Sequence, residues 1–187
     1  MTTNTSTLPL TTGTWQLDPA HSGVHFKVRH LGLTNVRGRF NEVDAWLEVG
    51  QDLADTRFGA TIDMSSVDTN QPDRDAHLRS TDFFGADANP TMTFVSTAVR
   101  NVGDSDYEAD GELTINGITK PVTLAVEFTG SITHPGDGKE RAGFIATSQI
   151  VRDDFGIDFN MPLGIDKFAL GKKIDVEIDV QFTPAPT

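Results

Sequence analysis

The sequence predicts an all-β protein, built as a single antiparallel up-and-down β-barrel of about eight strands. Apolar and polar residues alternate with a period of two along most of the chain, which is typical of strands with one face in a core and one in water. Turn residues separate these runs at short intervals, and helical periodicity is nearly absent. Closing a series of consecutive hairpins removes exposed sheet edges, so these patterns favour a barrel over a two-sheet sandwich.

The strands are assigned from this alternation. The clearest run is 174–182, in which five apolar residues alternate with four polar ones. Asn116–Gly117 separates two apolar runs and is the strongest hairpin signal in the chain. Other regular runs lie at 24–29, 57–64 and 122–128, and weaker strands are predicted at 14–18, 36–49, 91–99, 106–115 and 140–152.

Two long connections interrupt the strands. Residues 65–90 include a predicted short helix at 72–79, and residues 153–172 are rich in Gly and Phe. If the strands simply alternate in direction, both connections lie at the same end of the barrel. Short turns close the other end, so the end with the long connections is predicted to be the mouth.

Length and composition limit the function classes. The 187 residues fit one domain, predicted at 14–183 between a flexible leader, 1–13, and a tail, 184–187. A net charge of −12 argues against binding to nucleic acid and to an anionic bilayer surface. The chain has no cysteine, which excludes disulfides and thiolate metal sites, and no apolar run long enough for an integral membrane segment. The leader lacks an apolar signal region, so a cytoplasmic location is expected.

An eight-stranded barrel can be filled by its own side chains or can hold one small ligand. The residues predicted to line an apolar lumen share the inward parity of their strands: Val24, Phe26, Val28, Phe94, Leu113, Leu124, Val126, Phe128, Phe144 and Ile178. Three phenylalanines of the long connections, Phe83, Phe84 and Phe155, are predicted to act as a lid.

Polar residues of the same parity stand at the upper strand ends. His30, Lys120 and Arg152 each continue an inward-facing series, and Arg74 and His77 of the 65–90 connection could join them. Such a polar rim would hold a phosphate or another polar head group through charge-assisted hydrogen bonds. Alternatively, each side chain leaves the barrel at its strand end and extends into solvent.

Several sequence blocks resemble those of YceI-like proteins. The blocks are Trp15, 18–33, Arg74–Leu78 with 82–84 and Pro90, 111–122, and 152–156, so the resemblance covers about residues 14–182. It implies a lipocalin-like barrel that binds polyisoprenoid or related long-chain lipids in its lumen. Many members of that family are periplasmic, whereas this sequence shows no signal segment.

These observations lead to a functional hypothesis of non-enzymatic binding, storage or transport of a long-chain amphipathic lipid, such as a polyisoprenoid or an isoprenoid quinone. Two alternatives stay open. One is a structural or stress-response barrel, or an interaction module, that holds no ligand; the other is an enzyme that acts on a bound lipid. No common hydrolase, metalloprotease or P-loop motif is present, so neither catalytic residues nor cofactors nor a metal are expected. Trp46, with Val95 and Val99, which are predicted to face outward, could form a homodimer interface or pack against the 65–90 connection.

Overall fold

The computed structural model describes residues 7–165 and 167–187, and it shows an antiparallel sheet wound into a barrel. One α-helix, α1 (Pro72–Arg79), coincides with the predicted helix, and short 3-10 turns lie at Pro19–His21, Leu53–Asp55, Met64–Ser66 and Arg152–Phe155. The strands are β1 (Gly13–Leu17), β2 (Gly23–His30), β3 (Thr34–Phe40), β4 (Val43–Val49), β5 (Arg57–Asp63), β6 (Val67–Asp68), β7 (Thr91–Asn101), β8 (Asp106–Ile115), β9 (Ile118–Thr133), β10 (Glu140–Val151), β11 (Pro162–Gly164), β12 (Lys167–Phe168) and β13 (Leu170–Pro184).

The barrel closes through its first and last strands. β1 and β2 form one interrupted strand, and both halves pair with β13, as at Trp15 with Pro184 and Val28 with Ile174. β3 and β4 likewise form one bent strand. On one side of it, β3 pairs with β2 and β4 pairs with β1; on the other side, β4 pairs with β5. Counted in this way, eight strands follow one another around the wall in chain order, which confirms the predicted up-and-down barrel.

The two ends of the barrel differ. At the base the strands are joined by short connections, 50–56, 102–105 and 134–139. At the top lie the segment that carries α1 and the segment between β10 and β13, which contains the small hairpin β11–β12. Both long connections therefore lie at one end, as the alternation of strand direction predicts.

The base is sealed by side chains. Trp15 is 1% exposed, and its indole N–H donates a hydrogen bond to the carbonyl oxygen of Thr11 at 3.0 Å. Leu8 is also buried and packs in the same cluster with Leu47 and Phe182. Leu8 of the predicted leader, 1–13, therefore contributes to the seal at the base, and the flexibility of the leader stays a prediction. Residues 1–6 lie outside the described residues.

The Asn-Gly turn between β8 and β9 has the backbone that its sequence predicts. Asn116 and Gly117 have φ values of 53° and 72°, and a type I′ hairpin turn requires positive φ at both central positions. No helix in the described part of the chain is long and apolar enough to cross a membrane.

Candidate functional site

The interior of the barrel contains a cavity of about 490 Å³ that runs from Leu8 at the base to Phe159 and Met161 at the top. Its volume lies within the ~300–1,000 Å³ of typical ligand pockets. Its lining is almost entirely apolar. Nine of the ten predicted lumen residues line it: Val24, Phe26, Val28, Phe94, Leu113, Leu124, Val126, Phe144 and Ile178.

Phe128 is the exception among the predicted lumen residues. Its ring packs against Phe144, with 5.3 Å between the ring centroids, in the cluster that seals the base. Phe128 therefore supports the floor of the cavity and does not line it. The parity of its strand is as predicted, but parity alone does not give the height at which the cavity ends.

Several cavity residues were not singled out by sequence reasoning. The inward faces of β3, β4, β5 and the turn after β5 contribute Phe40, Leu47, Ile62 and Met64. Ile62 belongs to the apolar face of the predicted run 57–64. Phe40 and Leu47 differ in parity because the strand bends between β3 and β4, so one alternation along 36–49 cannot place both of them inside. Met64 lies in a 3-10 turn after β5, but it continues the alternation of 57–64 and lines the cavity with Ile62.

The mouth is covered by aromatic side chains from both long connections. Phe83, Phe84 and Phe155 all line the cavity, and Phe83 and Phe155 are buried. Phe159 joins them, with its ring 5.3 Å from Phe83. The two connections thus meet over the lumen. This is the position that a lid requires, and movement of the phenylalanines stays a prediction.

Asn116 links the two halves of this cover. Its side-chain amide N–H groups donate to the carbonyl oxygen of Phe83 at 3.1 Å and to that of Phe155 at 3.4 Å. In the sequence Asn116 was recognised for its turn alone. Its contact with two segments 33 and 39 residues away has no local signal.

Three of the predicted rim residues lie at the mouth with exposed or partly exposed side chains. His30, Arg74 and His77 all line the cavity. The Arg74 guanidinium donates to the hydroxyl and carbonyl oxygens of Thr69, both at 2.7 Å, which fixes its position.

His77 is held by a carboxylate and by aromatic rings. Its Nε2 lies 2.8 Å from an oxygen of Asp82. Its ring stands edge-on to Phe83 and Phe159, with centroid distances of 5.0 and 5.1 Å. The histidine is therefore part of the aromatic cover as well as of the polar rim.

Arg152 also lines the cavity, but it is 4% exposed and its guanidinium serves the backbone. It donates hydrogen bonds to the carbonyl oxygens of Ile157, Phe159 and Gly171 at 2.8 to 2.9 Å. Burial lowers the pKa of Arg152, an effect that nearby Asp153 and Asp158 oppose. An arginine stays charged even so. Its bonds tie the connection after β10 to the start of β13.

Lys120 does not line the cavity with the other four predicted rim residues, and its part in a rim stays a prediction. The pairing of β9 with β10 ends at Ala125 and Thr147, and above that point the Ser148 hydroxyl donates to the Thr123 carbonyl oxygen at 2.9 Å. The upper end of β9 therefore separates from its neighbour. Lys120 is exposed there and lines a cleft at the gap between β9 and β10. Five residues of this cleft also line the cavity: Val122, Ser148, Ile150, Phe155 and Val176. Its inward parity could not reveal where the pairing stops.

Within residues 7–165 and 167–187, no three His, Asp or Glu side chains are grouped closely enough to hold a metal ion. The absence of a metal and of cofactors stays a prediction. What the site offers chemically is an enclosed apolar volume with charged and polar side chains at its opening. That combination suits an amphipathic molecule with a long apolar part.

Comparison with known proteins identifies the family to which this barrel belongs. The YceI-like domain family matches residues 15–182. This chain belongs to the YceI-like family. A UPF0312 protein of Staphylococcus epidermidis is 38% identical over 170 residues, which cover 90% of this chain and 96% of that relative. The family resemblance noted in the sequence is thus confirmed.

Two solved structures share this YceI-like fold. BcnA of Burkholderia cenocepacia superimposes with a TM-score of 0.77 at 22% identity, over 88% of this chain and 98% of BcnA. A domain from Saccharophagus degradans gives a TM-score of 0.68 at 14% identity, over 91% of this chain and 98% of that domain. That domain is described as polyisoprenoid binding and implicated in plant cell wall breakdown. At these identities the likeness establishes the fold alone.

Proposed function

We propose that this protein binds a long-chain amphipathic lipid, such as a polyisoprenoid or an isoprenoid quinone, inside its barrel, and stores or carries it without altering it. The observation that carries the proposal is the continuous apolar cavity of about 490 Å³, which opens among polar side chains. The description of the Saccharophagus degradans domain as polyisoprenoid binding supports the same class of ligand. The tail would lie along the inward faces of the strands, and the head would lie at His30, Arg74 and His77.

The cavity sets an expected tail length. An engineered apolar cavity of about 150 Å³ holds one benzene molecule, so a volume about three times larger corresponds to roughly 20 carbon atoms. Each five-carbon isoprene unit contributes about 3–4 kcal/mol of gross burial free energy. Part of this gain is lost because the flexible chain is immobilised. Tail length therefore dominates affinity until the cavity is full.

The first test is native mass spectrometry of the purified protein, followed by lipid extraction. We expect a bound hydrophobic adduct that leaves on denaturation. We also expect affinity for isoprenoid alcohols to rise from ten to fifteen to about 20 carbons and then to level off, because the extra units find no further apolar volume. Fluorescence competition measures the series. A barrel that takes up none of these alcohols would refute the proposal, and chemical change of the bound alcohol would show an enzyme instead.

The head-group position gives a second test. Arg74 retains part of its guanidinium for a ligand after binding Thr69, and a hydrogen bond to a charged group is worth about 1.5–3 kcal/mol. We expect Arg74→Gln to lower the preference for geranylgeranyl phosphate over geranylgeraniol by about tenfold or more. The ratio of the two affinities is the measurement, because damage to the fold would affect both lipids equally.

Lys120→Gln is the matched control for Arg74→Gln. It removes one positive charge at the same end of the barrel, but from a side chain that lines the cleft between β9 and β10 and not the cavity. We expect it to leave the ratio of affinities unchanged. Equal losses for Arg74→Gln and Lys120→Gln would show that the preference depends on net charge and not on a head-group site.

A further inference from the structure

Large apolar side chains are exposed at the barrel mouth in two neighbouring turns. Leu31 and Leu33 lie in the β2–β3 turn, and Leu163, Ile165 and Phe168 lie in the β11–β12 hairpin. Leu33 is 75% exposed and Ile165 is 92% exposed. We call these five residues the mouth patch. Contiguous exposed apolar surface of this kind marks an interaction site.

The two turns form one surface that borders the cavity. The backbone N–H of Leu31 donates to the carbonyl oxygen of Ala169 at 2.7 Å, and His30 pairs with Leu170. Met161 and Ala169, which flank the hairpin, both line the cavity. The mouth patch is therefore continuous with the opening through which a ligand would pass.

The charge of these two segments is opposite to that of the whole protein. Segments 27–39 and 160–173 hold seven of the chain's 15 Lys and Arg residues, four in the first and three in the second. They hold one of its 27 Asp and Glu residues, Asp166. Two of the seven cations, Lys27 and Lys172, are paired with acidic residues outside these segments. The other five leave a local excess of positive charge beside the exposed apolar residues of a protein whose net charge is −12.

Several of these cations are well placed to meet an external anion. Arg29, Arg37, Lys167 and Lys173 are exposed, and none of the four forms an ion pair with a residue in 7–165 or 167–187. The backbone of Leu31 has a φ of 54°, a left-handed conformation that is unfavourable for a bulky residue. The turn therefore presents a leucine where glycine or asparagine would be less strained.

We propose that the mouth patch docks on an anionic lipid bilayer. The five apolar side chains would insert at the boundary between head groups and acyl chains, while Arg29, Arg37, Lys167 and Lys173 contact lipid phosphates. Apolar residues flanked by Lys and Arg are the chemistry that binds such an interface. The expectation from net charge, that anionic bilayers are avoided, considers the whole chain and misses this local distribution. Docking goes beyond ligand binding and does not require an occupied cavity.

Vesicle flotation with the full-length protein tests the proposal. We expect flotation with vesicles of phosphatidylcholine and phosphatidylglycerol, and much less with phosphatidylcholine alone. Binding should weaken between about 0.1 M and about 1 M salt, because the screening length falls from about 10 Å to about 3 Å. The Arg37→Gln, Lys173→Gln double variant should lose about fivefold in partition coefficient for each charge removed.

The apolar contribution is tested with Leu33→Asp, Ile165→Asp, which should abolish flotation. Its matched control is Val102→Asp, Ile132→Asp, in which two exposed apolar residues of the base receive the same charges. The control should bind like the unmodified protein, and circular dichroism should show both variants folded. The docking proposal is overturned if the unmodified protein does not float with anionic vesicles, or if the base variant loses as much as the mouth variant.

Light scattering tests whether a second copy of this chain, and not a bilayer, covers the mouth patch. Self-association that Leu33→Asp, Ile165→Asp removes, without flotation of the unmodified protein, would assign the patch to a dimer interface and overturn docking. Failure of docking is separable from failure of ligand binding, because lipid extraction and fluorescence competition are measured without vesicles.

Discussion

Replacing Ala146 with tryptophan is expected to lower the affinity for a 20-carbon isoprenoid by about 100-fold or more. Ala146 lines the cavity at mid-height on β10, where it pairs with Val126 and Ile178. An indole ring at this point divides the lumen and excludes at least one isoprene unit from it. That unit is worth about 3–4 kcal/mol gross, and about 2.8 kcal/mol corresponds to 100-fold in affinity. Fluorescence competition on the purified variant measures the loss.

Ala125→Trp is the matched control for this experiment. Ala125 lies on the neighbouring strand, β9, and is exposed on the outer wall, so the same substitution leaves the lumen unchanged. We expect it to bind the isoprenoid with unaltered affinity. Undiminished binding by Ala146→Trp, with a thermal midpoint close to that of the unmodified protein, would place the ligand outside the barrel.

Arg152→Met is expected to destabilise the protein by about 3 kcal/mol, because it leaves three backbone carbonyl groups without their buried donor. For a chain of this size, about 1 kcal/mol lowers the thermal midpoint by about 2–4 °C, so we expect a decrease of about 6–12 °C. Differential scanning calorimetry measures it. Methionine preserves much of the apolar stem, so the loss reports the hydrogen bonds.

Two further variants show whether the hydrogen bonds or the charge of Arg152 account for that loss of stability. Arg152→Lys keeps the charge but presents one ammonium group, which cannot span the carbonyl oxygens of Ile157, Phe159 and Gly171, and we expect it to be nearly as unstable as Arg152→Met. Arg39→Met removes an exposed arginine, whose Nε bonds Asn41, and should change the midpoint little. Full stability of Arg152→Lys would mean that the charge, and not the three hydrogen bonds, stabilises the connection.

The barrel could be predicted because its determinants are local. Alternation in 174–182 and in 122–128 requires one face inside and one outside, whatever the partner strand. The Asn116–Gly117 pair fixes a tight turn with positive φ at both residues. Once each strand is followed by a hairpin, few topologies remain, and the closed up-and-down order is the one observed.

The parts of the site that were missed depend on contacts distant in sequence. Lys120 has inward parity, but its position is decided by where β10 stops pairing with β9. Phe128 has the parity of a lumen residue, but the height of the floor is decided by side chains such as Trp15 and Leu8. The bonds of Arg152 to three carbonyl groups follow from the path of an irregular connection, for which the sequence shows no repeating pattern.

The net charge of −12 does not describe the surface at the barrel mouth. A net charge describes the field at a distance, whereas a surface within one screening length responds to the nearest side chains. The β2–β3 turn and the β11–β12 hairpin lie about 130 residues apart in the chain and become neighbours through the Leu31–Ala169 hydrogen bond. Their common excess of cations is visible once the fold brings them together.

The early end of the β9–β10 pairing makes the upper half of the barrel wall mechanically unlike the lower half. In the described chain, the pairs of these two strands run from the base to Ala125 and Thr147, and the Ser148–Thr123 hydrogen bond is the next connection above them. Separating β9 from β10 above Ala125 breaks one side-chain hydrogen bond, worth about 1 kcal/mol, and not a row of main-chain hydrogen bonds. The diameter of the lumen near its opening can therefore change while the strand pairing in the lower half of the barrel stays intact.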